Sequence, residues 1–437
     1  MKKVGMFSLG CAKNQVDTEM ILGMLEKDNF EVTNEIDECD LIIINTCGFI
    51  ESAKEEALSC INSVLESKKA NQKLVVCGCY AERYFDKLNK EYKNIDAIIP
   101  LKKYHHFAQI INELFKEGND YALSFYDRVL VSPFYAPYVR IADGCDNRCS
   151  FCAIPLIRGP YVSRTIDDIL VEVNELVKNG AKEINLISQD TTRYGADLND
   201  EKKSLLPELL KEIDKIEGIN MIRCLYLYPD LITKELIDTI KNSKKVCHYF
   251  DVPIQHSSSS QLSLMNRRGD HDFLVDLFKY IRKEVPDAII RTTLIVGFPY
   301  ESEEDFKELC EFVKETKFYH LGCFTYSKEE DTKGYDMPQI DEEIKQKRYD
   351  EIMSLQKSIS YKLKRESIGK TYTALVDSYE DGYYYLRNYM FAPDEIDGYI
   401  VASNDLELDI ELGDIVEVKI TSAFQYDLIG KIIKKAW

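Results

Sequence analysis

The chain has 437 residues, of which 45% are hydrophobic and 30% charged, with only 20 Gly and 12 Pro. This composition is that of a folded globular protein of about three domains, and it excludes a disordered chain, a collagen and a small disulfide scaffold. With 56 Lys and Arg against 75 Asp and Glu, the net charge is −19, which argues against a general nucleic-acid binder and favours a basic partner or a small substrate. No apolar run reaches about 18 residues, so we expect no membrane span, and the first residues resemble a β-strand rather than a signal peptide. The predicted location is the cytoplasm.

The first 125 residues alternate between strand-like apolar runs and amphipathic helices. The predicted strands are 4–9, 40–45, 73–76 and 97–99, and the helices between them include 17–26 and 52–67. Such alternation is typical of a parallel sheet with helices on its faces. The sequence therefore predicts an open parallel α/β domain over residues 1–125.

A second alternating region follows. Six strands are predicted, at 138–142, 183–187, 221–227, 249–254, 289–296 and 321–326. Helices lie between them, among them 272–283 and 166–178, where Thr165 and Asp168 have the spacing of a capping box. Six strand–helix units predict a partial (β/α)₆ barrel of the TIM type, closed on one side by another part of the chain. We place this domain at residues 131–367.

The last 70 residues show a different sequence pattern, without the alternation of strands and helices. A long predicted helix, with an apolar stripe from Ile344 to Leu363, leads into five short predicted strands at 372–376, 383–389, 399–402, 414–421 and 427–433. Asp, Gly and Asn turns separate these strands, as in a small antiparallel β-barrel of OB-like size. We place this third domain at residues 368–437.

Cysteine is the unusual part of the composition, with 13 residues. Thiols in a cytosolic chain stay reduced, so the count favours metal binding or catalysis over disulfides. Seven cysteines lie in or beside apolar runs and are expected in the core: Cys39, Cys60, Cys77, Cys224, Cys247, Cys310 and Cys323. The remaining six form two sets of three.

The first set is Cys145, Cys149 and Cys152, in the spacing C-x₃-C-x₂-C after the first barrel strand. Three thiolates on one loop can ligate three corners of a [4Fe–4S] cluster and leave one iron open. The carboxyl end of a barrel strand is where barrel active sites lie. The alternatives are coincidence and a zinc knuckle, which would want a fourth Cys or His close by, and none follows in the next stretch.

The second set is Cys11, Cys47 and Cys79, which are far apart in sequence but each follow a predicted parallel strand. The carboxyl ends of such strands share one edge of the sheet, where open α/β sheets bind ligands. Three thiolates there predict a second cluster with one open iron; the alternative is three core cysteines. Cys77 is an alternative to Cys79, which is favoured because Gly78 permits close backbone approach beside it.

At this point the whole chain resembles a known family, the radical S-adenosylmethionine (SAM) methylthiotransferases. The cysteine loop with an aromatic residue before its third cysteine is similar to the radical SAM signature. Further strings match along the chain: Gly10-Cys11-Ala12-Lys13-Asn14, Asn45-Thr46-Cys47-Gly48-Phe49-Ile50, Gly78-Cys79, Ile154-Pro155, Arg158-Gly159, Pro253-Ile254-Gln255-His256-Ser257-Ser258 and Val296-Gly297-Phe298-Pro299. The resemblance identifies the last domain as a TRAM domain and implies two [4Fe–4S] clusters.

Within the family, the lysine-containing string after Cys11 is similar to the RimO branch, which modifies an aspartate of the twelfth small-subunit ribosomal protein. The alternative is the tRNA-modifying MiaB branch, which usually carries a glutamine-methionine-asparagine string there; this string is absent. The last domain has 6 Lys and Arg against 13 Asp and Glu, a net charge of −7. Because a tRNA-binding domain should be basic, tRNA is an unlikely partner, and the ribosomal protein or the ribosomal subunit is the expected one.

The resemblance implies that SAM acts twice, once as methyl donor to sulfur on the Cys11/Cys47/Cys79 cluster and once as radical source at the Cys145/Cys149/Cys152 cluster. The radical removes a hydrogen from the β-carbon of the aspartate, and the resulting carbon radical then bonds to the methylthio group. A reductant such as a flavodoxin is the expected electron donor. A non-catalytic iron–sulfur electron carrier is the alternative outside this chemistry, but it would not need a barrel of this size.

Five further residues are candidates for SAM binding. Gln189, Asp190, Gln255 and Gly297 lie at the ends of predicted barrel strands, and Arg291 lies within one, where it could pair with the SAM carboxylate. For Asp190 the alternative is a cap of the next helix, and for Arg291 a buried structural ion pair. Beyond the cluster ligands, no catalytic residue is predicted.

Overall fold

In the computed structural model, which describes residues 1–436, the amino-terminal part folds around a parallel five-stranded sheet in the order β2-β1-β3-β4-β5. Its strands are β1 Lys2–Ser8, β2 Phe30–Val32, β3 Leu41–Thr46, β4 Lys73–Gly78 and β5 Ala97–Pro100. Its helices are α1 Ala12–Lys27, α2 Glu51–Ser67, α3 Cys79–Arg83, α4 Phe85–Glu91 and α5 Phe107–Phe115. The predicted open α/β architecture is confirmed.

The central strand β3 is buried on both faces, which is why it reads as an unbroken apolar run. Ile43 packs with α1 and α5 on one face, whereas Ile42 and Ile44 pack with α2 on the other. The edge strand β2 was missing from the sequence prediction because three residues give too short an alternation to recognise.

The second part is an open barrel of six parallel strands in two sheets, β6-β9-β10 and β11-β12-β13, with a small two-stranded ribbon, β7 and β8. The strands are β6 Tyr138–Arg140, β7 Ala142–Asp143, β8 Val162–Ser163, β9 Glu183–Ile187, β10 Met221–Cys224, β11 Tyr249–Asp251, β12 Ile289–Val296 and β13 His320–Thr325. A bridge from Ile222 to Val246 joins the two halves. The predicted partial (β/α)₆ barrel is confirmed.

Helices accompany the strands of this barrel. They are α6 Ile154–Arg158, α7 Ile166–Lys178, α8 Leu206–Asp214, α9 Lys234–Asn242, α10 Ser259–Leu264, α11 His271–Glu284, α12 Glu303–Thr316 and α13 Glu342–Arg365. Most pack on the outside of the barrel, whereas α6 packs against α3 of the amino-terminal part. Helix α7 has the predicted limits. Its start is fixed because the Thr165 hydroxyl accepts a hydrogen bond from the Asp168 N–H. Helix α12 begins with a full capping box formed by Ser302 and Asp305.

The last part is a closed five-stranded barrel in the order β14-β15-β16-β18-β17. Its strands are β14 Thr371–Glu380, β15 Tyr383–Arg387, β16 Ile400–Ser403, β17 Ile415–Ala423 and β18 Leu428–Lys435. The small barrel is confirmed, with one difference: β16 and β18 pair in parallel, while the other pairs are antiparallel. The parallel pair arises because β17 crosses over to close the barrel against β14, and β18 then returns beside β16.

The segment 388–397, between β15 and β16, contacts the starts of the large barrel's strands. Arg223 donates to the backbone carbonyls of Tyr389 and Asn388 at 3.0 and 2.9 Å, and the Tyr249 hydroxyl donates to Asp397 at 2.5 Å. We call this segment the plug. It leaves the opposite end of the barrel, where the strands end, facing the amino-terminal sheet.

No helix among residues 1–436 is long and apolar enough to cross a membrane.

Candidate functional site

The cysteines at the amino-terminal sheet lie together at one edge. Cys11 follows β1 as the N-cap of α1, Cys47 follows β3, and Cys79 is the first residue of α3 after β4. These three strands are neighbours and parallel, so their carboxyl ends meet. The loops are close: a Cβ on Gly10 would lie 2.6 Å from the Cys47 Cβ and 2.9 Å from its Sγ.

Asn14 ties these loops together. Its amide donates to the carbonyls of Leu9 and Thr46 at 3.0 and 2.9 Å, and its Oδ1 lies 3.2 Å from the Cys79 Sγ. Cys77, the alternative to Cys79, instead lies in the sealed core on one face of the sheet. The structure therefore brings Cys79, and not Cys77, to Cys11 and Cys47.

The loop with Cys145, Cys149 and Cys152 lies between β7 and α6 and is held by side chains from two other loops. Asp190 accepts a 2.7 Å hydrogen bond from the Asn147 amide, and Arg268 donates to the Asn147 carbonyl oxygen at 2.7 Å. These bonds fix the loop independently of any cluster. They also mean that the three thiols share one pre-formed turn.

One arginine links the barrel to the second cysteine set, Cys11, Cys47 and Cys79. Arg158, six residues after Cys152, lies 3.6 Å from the Cys79 Sγ and donates to Asn14 at 2.7 Å, Asp17 at 2.8 Å and Asp143 at 3.0 Å. Because Asp143 comes two residues before Cys145, these bonds connect the start of the Cys145 loop with the edge of the amino-terminal sheet. The sequence reasoning quoted Arg158 only as part of a matching string and missed this role.

A second arginine serves the radical SAM loop. Arg267 lies 3.8 Å from the Cys149 Sγ and stacks 3.9 Å from the centre of the Tyr228 ring, whose hydroxyl is also 3.8 Å from that sulfur. Arginine and tyrosine donors beside thiolates stabilise negative charge. Both triads thus have a cation within reach.

The pKa values of the thiols indicate which of them would have to be deprotonated at the expense of metal-binding free energy. Burial opposes ionisation of Cys11, but the charges of Lys13 and Arg158 outweigh it and lower the pKa of this thiol. Burial raises the pKa of Cys79 to about 12 and that of Cys145 to about 11. Since thiolates bind metal, the free energy of metal binding must include their deprotonation.

Each site offers three cysteine thiols, a donor set that suits an iron–sulfur cluster with one open iron. Within residues 1–436, no group of three His, Cys, Asp or Glu side chains is arranged to hold a single metal ion. In a cubane each thiolate binds a different iron, so its ligands stand further apart. All 13 cysteines are free thiols, and of the seven expected in the core six are buried and Cys60 is half-buried.

The mouth of the barrel, at the carboxyl ends of its strands, retains solvent-accessible surface, and we call this region the cleft. On β12, Ile290, Leu294 and Val296 pack outward against the helices, whereas residues 291, 293 and 295 face the barrel interior and are only half-buried. Cys11 and Asp143 lie deep in the protein, yet both retain exposed surface, so they border this cleft.

Two of the five candidate SAM contacts carry unused hydrogen-bonding capacity at this cleft. The side-chain carbonyl oxygens of Gln189 and Gln255 are buried without a hydrogen-bond partner. Buried polar atoms normally find partners, so such orphans point to a missing ligand. Gln255 is further held at a φ of +70°, in the left-handed region that non-glycine residues rarely adopt.

The other three candidates have structural partners. Both oxygens of Asp190 are occupied, by the side chains of Asn147 and Thr192. Asp190 precedes the next helical turn, as the capping alternative requires, but its side chain makes no capping hydrogen bond and holds the Cys145 loop instead. Arg291 pairs with Asp251 at 2.9 Å and with Asp397 of the plug at 3.2 Å, which is the ion-pair alternative. Gly297, at φ +73°, lies against the Lys345 side chain, where a Cβ would collide.

Glu301 is an exception to the acidic helix start that residues 301–305 suggest. It is buried, 3.1 Å from the Arg348 guanidinium, and its carboxylate accepts a bond from the Gly297 N–H. His256 is fully buried against Glu301 at 3.4 Å and is likewise structural.

Three family models match the chain. The uncharacterized protein family UPF0004 matches residues 3–100, the radical SAM superfamily residues 139–313 and the TRAM domain residues 368–433. The methylthiotransferase domain order expected from the sequence is thus found.

Curated relatives match over the full length. "Ribosomal protein uS12 methylthiotransferase RimO" of Thermoanaerobacter sp. (strain X514) is 45% identical over 99% of this chain and 100% of its own length. The proteins of the same name from Clostridium acetobutylicum and Clostridium botulinum (strain Hall) are 45% and 46% identical over 98% of each chain.

Solved structures share the fold at low identity. The radical SAM methyltransferase TsrM from Kitasatospora setae superposes with a TM-score of 0.56, at 14% identity, over 77% of each chain. The cobalamin-dependent radical SAM enzyme OxsB superposes with a TM-score of 0.51, at 12% identity, over 81% of this chain and 56% of that one.

Proposed function

The chain belongs to the RimO family of ribosomal protein methylthiotransferases, which are radical SAM enzymes, and we propose that it adds a methylthio group to the β-carbon of an aspartate in ribosomal protein uS12. The observation that carries this proposal is the docking of the amino-terminal sheet edge, which holds Cys11, Cys47 and Cys79, onto the barrel end that holds the Cys145 loop, through the bonds of Arg158 to Cys79, Asp17 and Asp143. A reaction that joins sulfur from one centre to a carbon activated at another needs such proximity.

The ligand sets that we assign are Cys145, Cys149 and Cys152 for the radical SAM cluster, and Cys11, Cys47 and Cys79 for a second [4Fe–4S] cluster. When bound, the clusters supply one-electron cleavage of SAM and a sulfur to be methylated. The protein holds both thiol sets with their charge partly compensated, by Arg267 and Arg158, before any cluster is inserted.

The chain's own residues then orient SAM. Gln189 and Gln255 offer unpaired amide oxygens at the cleft, and these would accept hydrogen bonds from ribose hydroxyls or from the adenine amine. Enclosure by the amino-terminal sheet keeps bulk water from a radical formed there.

The charge of the last barrel supports a basic polypeptide as substrate. Its net charge of −7 over residues 368–437 would repel tRNA and attract a ribosomal protein, free or in the subunit. A reductant such as a flavodoxin remains the proposed electron donor.

The test uses the purified protein with its clusters reconstituted anaerobically. Offered both uS12 and tRNA with SAM and a reductant, it should add a methylthio mass to an aspartate of uS12 and leave tRNA unchanged by mass spectrometry. Modification of tRNA instead would contradict the proposal.

Matched cysteine variants test the ligand assignment. A triple Cys→Ala variant at positions 145, 149 and 152 should lose SAM cleavage and about half of the iron, whereas Cys60→Ala should keep both. Formation of 5′-deoxyadenosine by the triple variant would show that the assignment is wrong.

A further inference from the structure

Lys13 lies beside the Cys11 thiol, whose pKa its charge lowers, and its side chain reaches into the barrel. It is the second residue of α1, two positions after Cys11, and its side chain is only 6% exposed. Its Nζ lies 3.1 Å from the centre of the Tyr226 ring. Tyr226 follows β10, so the ammonium reaches from the amino-terminal sheet to the carboxyl ends of the barrel strands.

The carboxylates around Lys13 are bound to other donors. Asp251 accepts from Arg291 at 2.9 Å through one oxygen and from the Tyr226 N–H at 2.8 Å through the other. Asp143 accepts from Arg158 at 3.0 Å and from Gln189 at 3.0 Å. Both act on Lys13 through space, without a hydrogen bond.

Most cations around the cleft are paired: Arg140, Arg158 and Arg291 each have a carboxylate partner, at 2.5, 2.8 and 2.9 Å. Among residues 1–436, two buried cations near the cysteines have no carboxylate within 4 Å. Arg267 donates to the Pro253 carbonyl and lies beside Cys149, whereas Lys13 rests against an aromatic ring. A buried ammonium without a carboxylate partner is stabilised when a ligand supplies one.

Tyr226 is held in place at some energetic cost. Its φ is +63°, in the left-handed region, and its N–H and C=O are fixed by Asp251 and by the Thr191 N–H. Strained backbone of this kind persists where the surrounding structure enforces it, often at ligand sites. The fixed Tyr226 ring therefore holds the Lys13 ammonium in place through a cation–π contact.

We propose that the Lys13 ammonium, resting on the Tyr226 ring, binds the side-chain carboxylate of the target aspartate and so selects aspartate as the modified residue. This inference rests on the proposed function and adds the residue that recognises the substrate. A carboxylate bound there is held beside Cys11, with the adjacent β-carbon directed into the cleft towards the Cys145 loop. A lysine–carboxylate contact in an enclosed site is a charge-assisted bond, which an amide cannot replace at equal strength.

The experiment crosses enzyme variants with substrate variants. Two peptides of the uS12 target loop are compared, identical except for Asp or Asn at the target position, and their Kd values are measured on the reconstituted enzyme with SAM. The wild-type enzyme should bind the Asp peptide about tenfold to a hundredfold more tightly than the Asn peptide. In Lys13→Met this ratio should fall to about one, and in Lys13→Arg most of it should return.

Lys364 provides the matched control. It is another fully buried lysine over a tyrosine, 4.4 Å from the Tyr319 ring, but it lies on α13, away from the cleft. Lys364→Met should keep the wild-type preference for Asp. Iron content and SAM cleavage without peptide, measured on each variant, show whether the clusters remain.

The outcomes separate the inference from the proposed function. Equal weakening of both peptides by Lys13→Met, or equal affinity of the wild-type enzyme for the Asp and Asn peptides, overturns the role of Lys13 while leaving the methylthiotransferase activity standing. The wild-type measurement needs no variant and decides even if Lys13→Met fails to fold. Failure of the wild-type enzyme to modify uS12 at all overturns the proposed function and this inference together.

Discussion

Arg158 shows how a single buried charge can join two parts of the chain. Its guanidinium is 2% exposed and pairs with Asp17 of α1 and with Asp143 of β7. We expect Arg158→Gln to leave Asp17 and Asp143 short of a partner and to lower the free energy of unfolding by about 3–5 kcal/mol. Urea denaturation followed by circular dichroism measures this loss. Arg365→Gln, a change of the same type at an exposed site, should shift the midpoint little, and equal shifts would contradict the argument.

Gly10 tests whether the second cluster depends on the close approach of two loops. Its φ is +92°, and a Cβ would press on Cys47 at 2.6 Å. We expect Gly10→Ala to lose the second cluster and to keep the radical SAM cluster, so that iron falls from about eight to about four atoms per chain, while SAM cleavage persists.

The control for this change is Gly382→Ala. Gly382 also has a positive φ, +84°, but has nothing within 4 Å of the Cβ position, so it carries the backbone strain without the collision. Its iron content should match that of the wild type. Loss of both clusters in Gly10→Ala would mean that the sheet edge, and not one cluster, had been disturbed.

At the scale of single residues, the candidate ligand cysteines could be predicted from the sequence, but most of the side chains around them could not. Cys11, Cys47 and Cys79 were predictable because each follows an apolar run, and strand ends share an edge. The contact of Arg158 with Cys79 and that of Lys13 with Tyr226 were not predictable, because each crosses from one sheet to another. Asp190 follows strand β9 and Arg291 lies within β12, as predicted, but the sequence did not reveal their partners in Asn147 and the plug.

Among the elements, long periodic ones were predicted best. Strands β9 and β12 and helix α7 have the predicted limits, because each has a clear apolar pattern and sharp end signals. The stripe on α13 was less accurate: Ile352 and Ile359 are buried as expected, but Ile344 is 41% exposed. The helix buries polar residues that reach the loops, which an apolar pattern does not reveal.

The sequence did not predict the plug. Beside it, a buried cluster of ion pairs connects the two barrels, and its contribution to stability can be tested. Glu183 on β9 is fully buried between Arg223, at 2.9 Å, and Arg387 of β15, at 2.6 Å. We expect Glu183→Gln to destabilise the chain by about 3–5 kcal/mol, since two buried guanidinium groups lose their shared charge. Thermal unfolding should show this loss, whereas Glu175→Gln on the exposed face of α7 should behave as wild type. A small effect at Glu183 would mean that the two barrels are held mainly by apolar contacts.

The plug also predicts a dependence of stability on pH. Burial lowers the pKa of His320 to about 3, even though nearby Asp397 favours the charged form. The neutral ring donates from Nε2 to the Met390 carbonyl at 2.7 Å, since that oxygen can only accept. The unfolded chain binds a proton at this residue below about pH 6.5 and the folded chain does not, so stability falls as pH decreases from about 6.5 towards 3, by up to about 1.4 kcal/mol per pH unit.

His320→Gln isolates this contribution, because glutamine can still donate to the carbonyl but does not titrate. Urea midpoints measured between pH 7 and pH 5.5 should fall less steeply for His320→Gln than for the wild type. His105→Gln, at an exposed site, should keep the wild-type slope. Parallel slopes for all three proteins would exclude His320 as the source.

For the whole molecule, the arrangement of parts explains why chemistry and recognition are separate. The amino-terminal sheet covers the carboxyl ends of the barrel strands, and the plug closes the other end. Domain limits near residues 125 and 368 remain predictions, but no helix or strand lies between α5 and β6, and only five residues separate α13 from β14. Both triads are therefore central, whereas the acidic last barrel is free to meet a large partner.

This arrangement predicts that the position of the acidic residues, and not their number, determines how tightly uS12 binds. A triple variant of exposed residues in the last barrel, Asp381→Asn, Asp409→Asn and Glu411→Gln, removes three of the negative charges that give the chain its net −19. A matched variant of exposed residues on α2, Glu55→Gln, Glu56→Gln and Glu66→Gln, removes the same number. We expect the first to weaken binding of basic uS12 by about threefold to tenfold at low salt and the second to leave binding unchanged. The difference should shrink as salt rises towards 0.5 M, since ions screen exposed charges. Surface plasmon resonance with immobilised uS12 measures both effects, and equal weakening by the two variants would show that net charge alone attracts the substrate.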